Sequence, residues 1–314
     1  MMRSYNTFRT DLALENREHL GVEIPGVEMA VEEVEAVEAV VTWVAVTSEE
    51  GATAMGKPVG NYVTLETPIM QENDPPSHEM LADILAQKLM ALCPLSPDAS
   101  ILVIGLGNRH VTPDALGPQV CDRLLVTRHL EGVVPIHQAG ALRSVCAIAP
   151  GVMGITGIET AEIAKGIIDK VKPQLVVAID ALAARRTSRI NATIQMTDTG
   201  INPGAGMGNQ RTPINQSTMG VPVIAIGVPT VVDAATLVND TMDNMLSAMA
   251  GAVPEGSDFY NMLATMEGAD RYSLIAEVLE HGNMFVTPKE VDAVITRLAE
   301  IIASALNTAL HQGA

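Results

Sequence analysis

Three apolar runs limit most what this chain can fold into. They are "ILVIGLG" at 101–107, "PQLVVAID" at 173–180 and "VPVIAIGVPT" at 221–230. None shows the apolar–polar alternation of a half-buried strand, so strands formed there are buried on both faces. Segments of helical spacing lie around them: "SHEMLADILAQKLMALC", "ALGPQVCDRLLVTRHL", "GITGIETAEIAKGIIDKV", "VVDAATLVNDTMDNMLSAMA" and "TPKEVDAVITRLAEIIASALNTAL". In the last, Thr287 is expected as the cap, with Pro288 at the first helical position. Further strands are expected at Val40–Val46, at "GNYVTLE" and, weakly, at "GVVPIHQ"; Glu32–Glu38 suits a helix or an alternating strand. Strands alternating with helices predict an α/β fold, a mostly parallel sheet with helices on both faces. No repeat or low-complexity linker divides the 314 residues. A single domain is expected behind a polar, mixed-charge arm at 1–25, read as exposed.

Composition narrows the function. A net charge of −18 argues against a nucleic-acid-binding surface, which needs clustered Lys and Arg. "MMRSYNTFRTDLALENREHL" has no signal-peptide core, and no run of about 18 uncharged apolar residues suggests a membrane span. Cys93, Cys121 and Cys146 form no CxxC and no even framework, which reads as a reducing, cytoplasm-like compartment.

In a doubly covered sheet, sites form outside the C-terminal ends of the strands. "ILVIGLG" leads to Asp114, and "QLVVAID" places Asp180 at its end. Singly, each has a structural explanation. Asp114 would N-cap a helix starting at Ala115; Asp180 would cap "ALAARR" or pair with Arg185 or Arg186. Together they suggest a carboxylate pair. Two close carboxylates do not easily both ionise, so one keeps a proton. The ionised one can activate water and the protonated one can polarise a carbonyl, which is the chemistry of amide hydrolysis.

Other motifs fall short. "GLGNRH" has His110 where a dinucleotide loop needs its third glycine. "GATAMGKP" has Pro58 where a P-loop needs Ser or Thr, and reads as a turn between strands. "HEMLA" has Ala82 where a zincin helix needs its second histidine. There is no GxSxG. "DTG" at Asp198–Gly200 matches the tripeptide of all-β aspartic proteases, but in an α/β chain it reads as a turn leading into "INPGAGMGNQR". His78, His110, His137 and His281 are given no role.

The segments "FRTDLALE", "EEGATAMGKPVGNYVTLE", "LVIGLGNRHVTPDALGP", "VVAIDALAARRTSRINATIQMTDTGINPGAGMGNQR", "TPINQSTMGVPVIAIGVPTVVDA" and "MFVTPKEVD" resemble the germination protease family of endospore-forming bacteria over nearly the whole chain. The resemblance implies an atypical aspartic endopeptidase with a fold similar to hydrogenase-maturation peptidases. It implies action on small acid-soluble spore proteins in the spore core during germination. It also implies a homotetrameric zymogen that loses a short N-terminal propeptide. The family's essential aspartates fall on Asp114 and Asp180. No cofactor, metal, nucleic-acid or membrane partner is implied. "DLALE" resembles the acidic–apolar–Ala–x–Glu pattern cut in the family's substrates, so self-cleavage is expected between Asp11 and Leu12. That would remove residues 1–11 and leave 12–314. The uncut form is expected to be less active because the arm restricts access to the site. Aspartate in place of glutamate at the cut is expected to make processing slower or more dependent on low pH. The same segment also reads as a helix start capped by Thr10 or Asp11, with Leu12 inward. The region between Met242 and Arg271 looks shorter than is usual in the family. Two rival readings are a maturation peptidase that binds its partner's metal and a non-catalytic module that holds an anion on the Gly-rich loops.

Overall fold

Side chains alternate sides along a strand, and here the alternation sorts the apolar runs into two cores. Ile101 and Val103 of β4 (Ser100–Gly105), with Val177 and Ile179 of β6 (Leu175–Ala184), enter one core. Helices Pro75–Leu92, Leu116–Cys121 and Val291–Leu310 cover it. Leu102, Ile104, Val176 and Ala178 enter the other, beneath helix Thr160–Val171. This is a computed structural model, and it describes residues 11–20, 24–131, 142–204, 211–249, 275 and 284–311.

The other strands are β1 (Val27–Val34), β2 (Ala39–Val46), β3 (Gly60–Glu66), β5 (Ser144–Ile148), β7 (Thr193–Thr197), β8 (Val223–Asp233) and β9 (Phe285–Val286). The sheet order is β1-β2-β3-β7-β8-β6-β4-β5, with β9 on β8. The β8-β6-β4-β5 half is parallel, while β1, β2, β3 and β7 join it as an antiparallel half. The α/β class read from the sequence is observed. From β4 the chain moves to β5 on one side, then returns past β4 to β6 on the other. The crevice beyond β4 and β6 is therefore a topological switch point, where open α/β sheets place their ligands.

Several expectations are corrected. Apart from a short 3-10 turn at Arg128–Leu130, the segment after Ala115 is helical only over the α-helix Leu116–Cys121. Beyond it, Leu125 N–H donates to the Asn307 side chain at 2.9 Å and Thr127 N–H to the Val145 carbonyl at 2.9 Å, so tertiary partners override helix propensity. "GATAMGKP" is not a turn between strands. Its first residues belong to helix Glu49–Met55, started by Ser48, whose hydroxyl accepts from Gly51 N–H, and stopped by left-handed Gly56. Glu32–Glu38 resolves into the end of β1 and a 3-10 turn. Helix Val291–Leu310 has Glu290 at its N-cap position with no side-chain cap bond, and the Thr287 hydroxyl instead donates to the Thr230 carbonyl at 2.8 Å. That helix is long and apolar enough to cross a membrane by length and composition. Its window is 61% buried against the protein's own helices, as a core helix is. "GVVPIHQ", His137, His281 and most of the Met242–Arg271 region lie outside the described residues.

Candidate active site

Pairing of β4 with β6 ends at Gly105 opposite Ile179. The next residue, Leu106, still donates its N–H to the Ile179 carbonyl at 2.8 Å, and the loop then folds back on itself. Gly107 makes this possible at φ +108. A β-carbon there would lie 2.0 Å from the Asp114 carbonyl oxygen. Asn108 N–H donates to Asp114 Oδ2 at 2.8 Å. The Thr230 hydroxyl donates to the Pro113 carbonyl at 2.7 Å and ties the loop to β8. Of the glycines of "GLGNRH", Gly107 thus serves backbone approach to Asp114 and Gly105 the approach of Gly117. Arg109 is engaged by Asp122. Asp114 does not cap the following helix, whose N-cap is Ala115 with no side-chain bond.

Asp180 lies within β6, not at its end. Residues 181–184 continue the strand, so there is no "ALAARR" helix to cap. Its side chain accepts from Ala181 N–H at 3.0 Å, and the residue is 7% exposed. Of the neighbouring arginines, Arg186 pairs with Glu18, and the backbone N–H groups of Arg185 and Arg186 donate to Glu15. Asp114 and Asp180 line one cavity of about 530 Å³, together with Asn108, Thr230, Arg211 and Asp11.

Burial pushes the Asp180 carboxyl well above the usual carboxylate range, and the charges of Asp114 and Asp11 push it further; Ala181 N–H and Arg211 oppose them. Asp114 is also raised by burial, against Asn108 N–H and Arg211. Both carboxyls are thus held toward the protonated form, which favours a proton kept within the pair.

The start of the described chain enters the same cavity. Leu12 and Ala13 are fully buried, which corrects the reading of an exposed arm here. Asp11 N–H donates to the Ala183 carbonyl at 3.2 Å, and Ala183 N–H donates to Asp11 Oδ2 at 3.0 Å. The Asp11 carbonyl accepts from Lys57 Nζ at 2.8 Å and from Gln195 Nε2 at 3.4 Å. Ala13 N–H donates to Gln195 Oε1 at 2.7 Å. Helix Ala13–Leu20 follows, with Glu15 accepting the Arg185 and Arg186 N–H groups at 2.8 and 2.9 Å. Buried Arg189 bonds Glu18 and Glu66 at 2.7 and 2.6 Å. Leu12 packs inward as expected; the arm docks because its apolar residues are covered and its acids find donors.

Asp198 accepts from Asn61 N–H and Nδ2 at 2.8 and 2.7 Å and pins β7 to β3, in line with the turn reading of "DTG". Among the described residues, no group of three or more His, Cys, Asp or Glu is placed to hold a metal ion. The reading from sequence missed Asn108, Arg211, Lys57 and Gln195. Lys57 carried a faint signal, as the lysine of the incomplete P-loop.

The family model described as germination protease matches residues 9–265 and 253–314. The chain belongs to the germination protease family. It is 49% identical to the germination protease of Caldanaerobacter subterraneus subsp. tengcongensis over 308 residues, covering 97% of this chain and 94% of that one. It is 48% identical to that of Clostridium tetani over 310 residues, covering 96% and 95%. It is 45% identical to that of Bacillus subtilis over 300 residues, covering 84% and 82%. The match to germination proteases starts at residue 9, so it spans Asp11 and Leu12 as well as Asp114 and Asp180.

Proposed function

We propose that the chain is an aspartic-type endopeptidase of the spore core. It hydrolyses small acid-soluble spore proteins during germination, and it is made as a homotetrameric zymogen that cuts itself between Asp11 and Leu12. The observation that supports this most is the meeting of Asp114, Asp180 and Asp11 in one cavity. Asp114, ionised, takes a proton from water as the water oxygen adds to the peptide carbonyl carbon. Asp180, protonated, donates a hydrogen bond to the carbonyl oxygen. The C–N bond then breaks and the leaving nitrogen takes a proton from the pair. With residue 11 in the cavity, the uncut arm obstructs a substrate, which fits a less active precursor. The test is incubation with a small acid-soluble spore protein and mapping of the cuts by mass spectrometry. A carboxylate pair needs no cofactor, so chelators should leave the rate unchanged. Loss with chelator and restoration by Zn²⁺ or Ni²⁺ would favour a metal-linked peptidase. Binding of an anionic ligand that survives loss of both aspartates, with no peptide cut, would favour the non-catalytic module.

The pH dependence has a defined sign. Activity needs ionised Asp114, lost as pH falls through its pKa, and protonated Asp180, lost as pH rises through its pKa. A bell-shaped profile follows. Arg211 lowers both groups. Arg211→Gln removes that cation, so both limbs of the kcat/KM profile should move to higher pH. Limbs that stay in place would remove Arg211 from the electrostatics of the pair.

A further inference from the structure

We propose that Lys57 is a catalytic residue for self-cleavage, the group that holds and polarises the carbonyl of the Asp11–Leu12 bond. The proposal rests on the self-processing reading above. Lys57 sits on a fixed stem. Its N–H donates to the Ala52 carbonyl at 3.2 Å behind the Gly56 cap, and the carbonyl of the next residue, Pro58, accepts from the Tyr62 hydroxyl at 2.8 Å. From there Nζ reaches the Asp11 oxygen at 2.8 Å, within the range of a donor to a developing oxyanion. Gln195 Nε2, at 3.4 Å, is a second donor to the same oxygen. The bond is also clamped on both sides. Asp11 N–H is fixed by the Ala183 carbonyl, and Ala13 N–H by the Gln195 side-chain oxygen.

This clamp exceeds what docking a helix requires. Helix Ala13–Leu20 is already anchored by two N–H groups on Glu15 and by Arg189 on Glu18. An ammonium inside the protein is costly, and burial lowers the Lys57 pKa against the charges of Asp11 and Glu15. A cation there has its largest favourable effect when the Asp11 oxygen gains negative charge. Water supplies the oxygen that adds to the carbonyl carbon, the C–N bond to Leu12 breaks, and the Leu12 nitrogen leaves with a proton. Lys57 donates a hydrogen bond throughout and keeps its own proton.

The test follows the Leu12 terminus over time by mass spectrometry in the full-length wild type, Lys57→Met, Lys57→Arg and Asp180→Asn. Lys57→Met should slow the cut about a hundredfold or more, the usual cost of one oxyanion donor, and Lys57→Arg should recover part of that. An added glutamyl endopeptidase reports whether the arm stays docked at Glu15. Resistance equal to wild type in Lys57→Met supports a role in the chemistry. An arm that becomes freely cut at Glu15 reassigns Lys57 to docking and overturns the proposal. So does Lys57→Met processing at the wild-type rate while Asp180→Asn is inert. A wild type that never yields the Leu12 terminus removes the self-processing reading itself, and the lysine's role with it.

Discussion

Asp114→Asn and Asp180→Asn should each lower turnover of a spore-protein substrate by roughly 10³- to 10⁴-fold while leaving the fold intact, and the double variant should be little worse than either. Non-additivity is the signature of two groups acting as one unit, since either loss ends the shared proton transfer. Stability provides a second readout with a fixed sign. The Asp180 carboxyl lies well above its ordinary value, chiefly through burial. The stability it contributes is present below the unfolded-state pKa of about 3.9 and is lost as pH rises through the folded value. An amide has no such loss, so Asp180→Asn should melt higher than wild type at neutral pH and no higher in acid. A single variant with near-normal turnover would end the carboxylate pair. Asp198→Asn is the matching control. It sets a side-chain amide against Asn61 Nδ2, so it should weaken the β7–β3 junction by about 1–3 kcal/mol without selective loss of catalysis. A folded Asp198→Asn protein with no activity would move the site to "DTG".

The two aspartates were legible because each follows a locally recognisable apolar run, and the switch-point rule then says where such runs deliver side chains. The surroundings were not legible, because they come from distant parts of the chain. Lys57 meets a residue 46 positions away, and Gln195 meets Ala13 across 182. Gln195 itself lies on β7, a strand foreseen no better than β5. Both are five residues long and need their neighbours in the sheet to define them. The arm misled for a related reason. "DLALENRE" looks soluble, yet Glu15 is 3% exposed, because backbone donors at Arg185 and Arg186 satisfy it. A buried carboxylate is recognisable only once its partners are known.

Gly117→Ala, at the start of helix Leu116–Cys121, should damage the site as well as the fold. A β-carbon at 117 would lie 2.4 and 2.5 Å from the Leu106 carbonyl oxygen and nitrogen, and 2.6 Å from the Ile179 carbonyl oxygen. All three are backbone atoms, so no rotamer change relieves the contact. Helix Leu116–Cys121 must lift from the ends of β4 and β6, at a cost of about 1–3 kcal/mol or more. The same shift separates the two carboxyl groups, because Asp114 precedes that helix and Asp180 follows Ile179. Misplacement by about 1 Å can cost about 10²-fold in rate. Activity should therefore fall further than the loss of folded protein explains, and the two are separable by measuring kcat per folded molecule at low temperature. Gly166→Ala is the opposite case. Gly166 sits in helix Thr160–Val171 with open space where a β-carbon would go. Alanine there should stabilise by about 1 kcal/mol through helix propensity and leave turnover unchanged. If Gly117→Ala behaved like Gly166→Ala, the close approach of the helix to the strand ends would not be what sets the positions of the two aspartates.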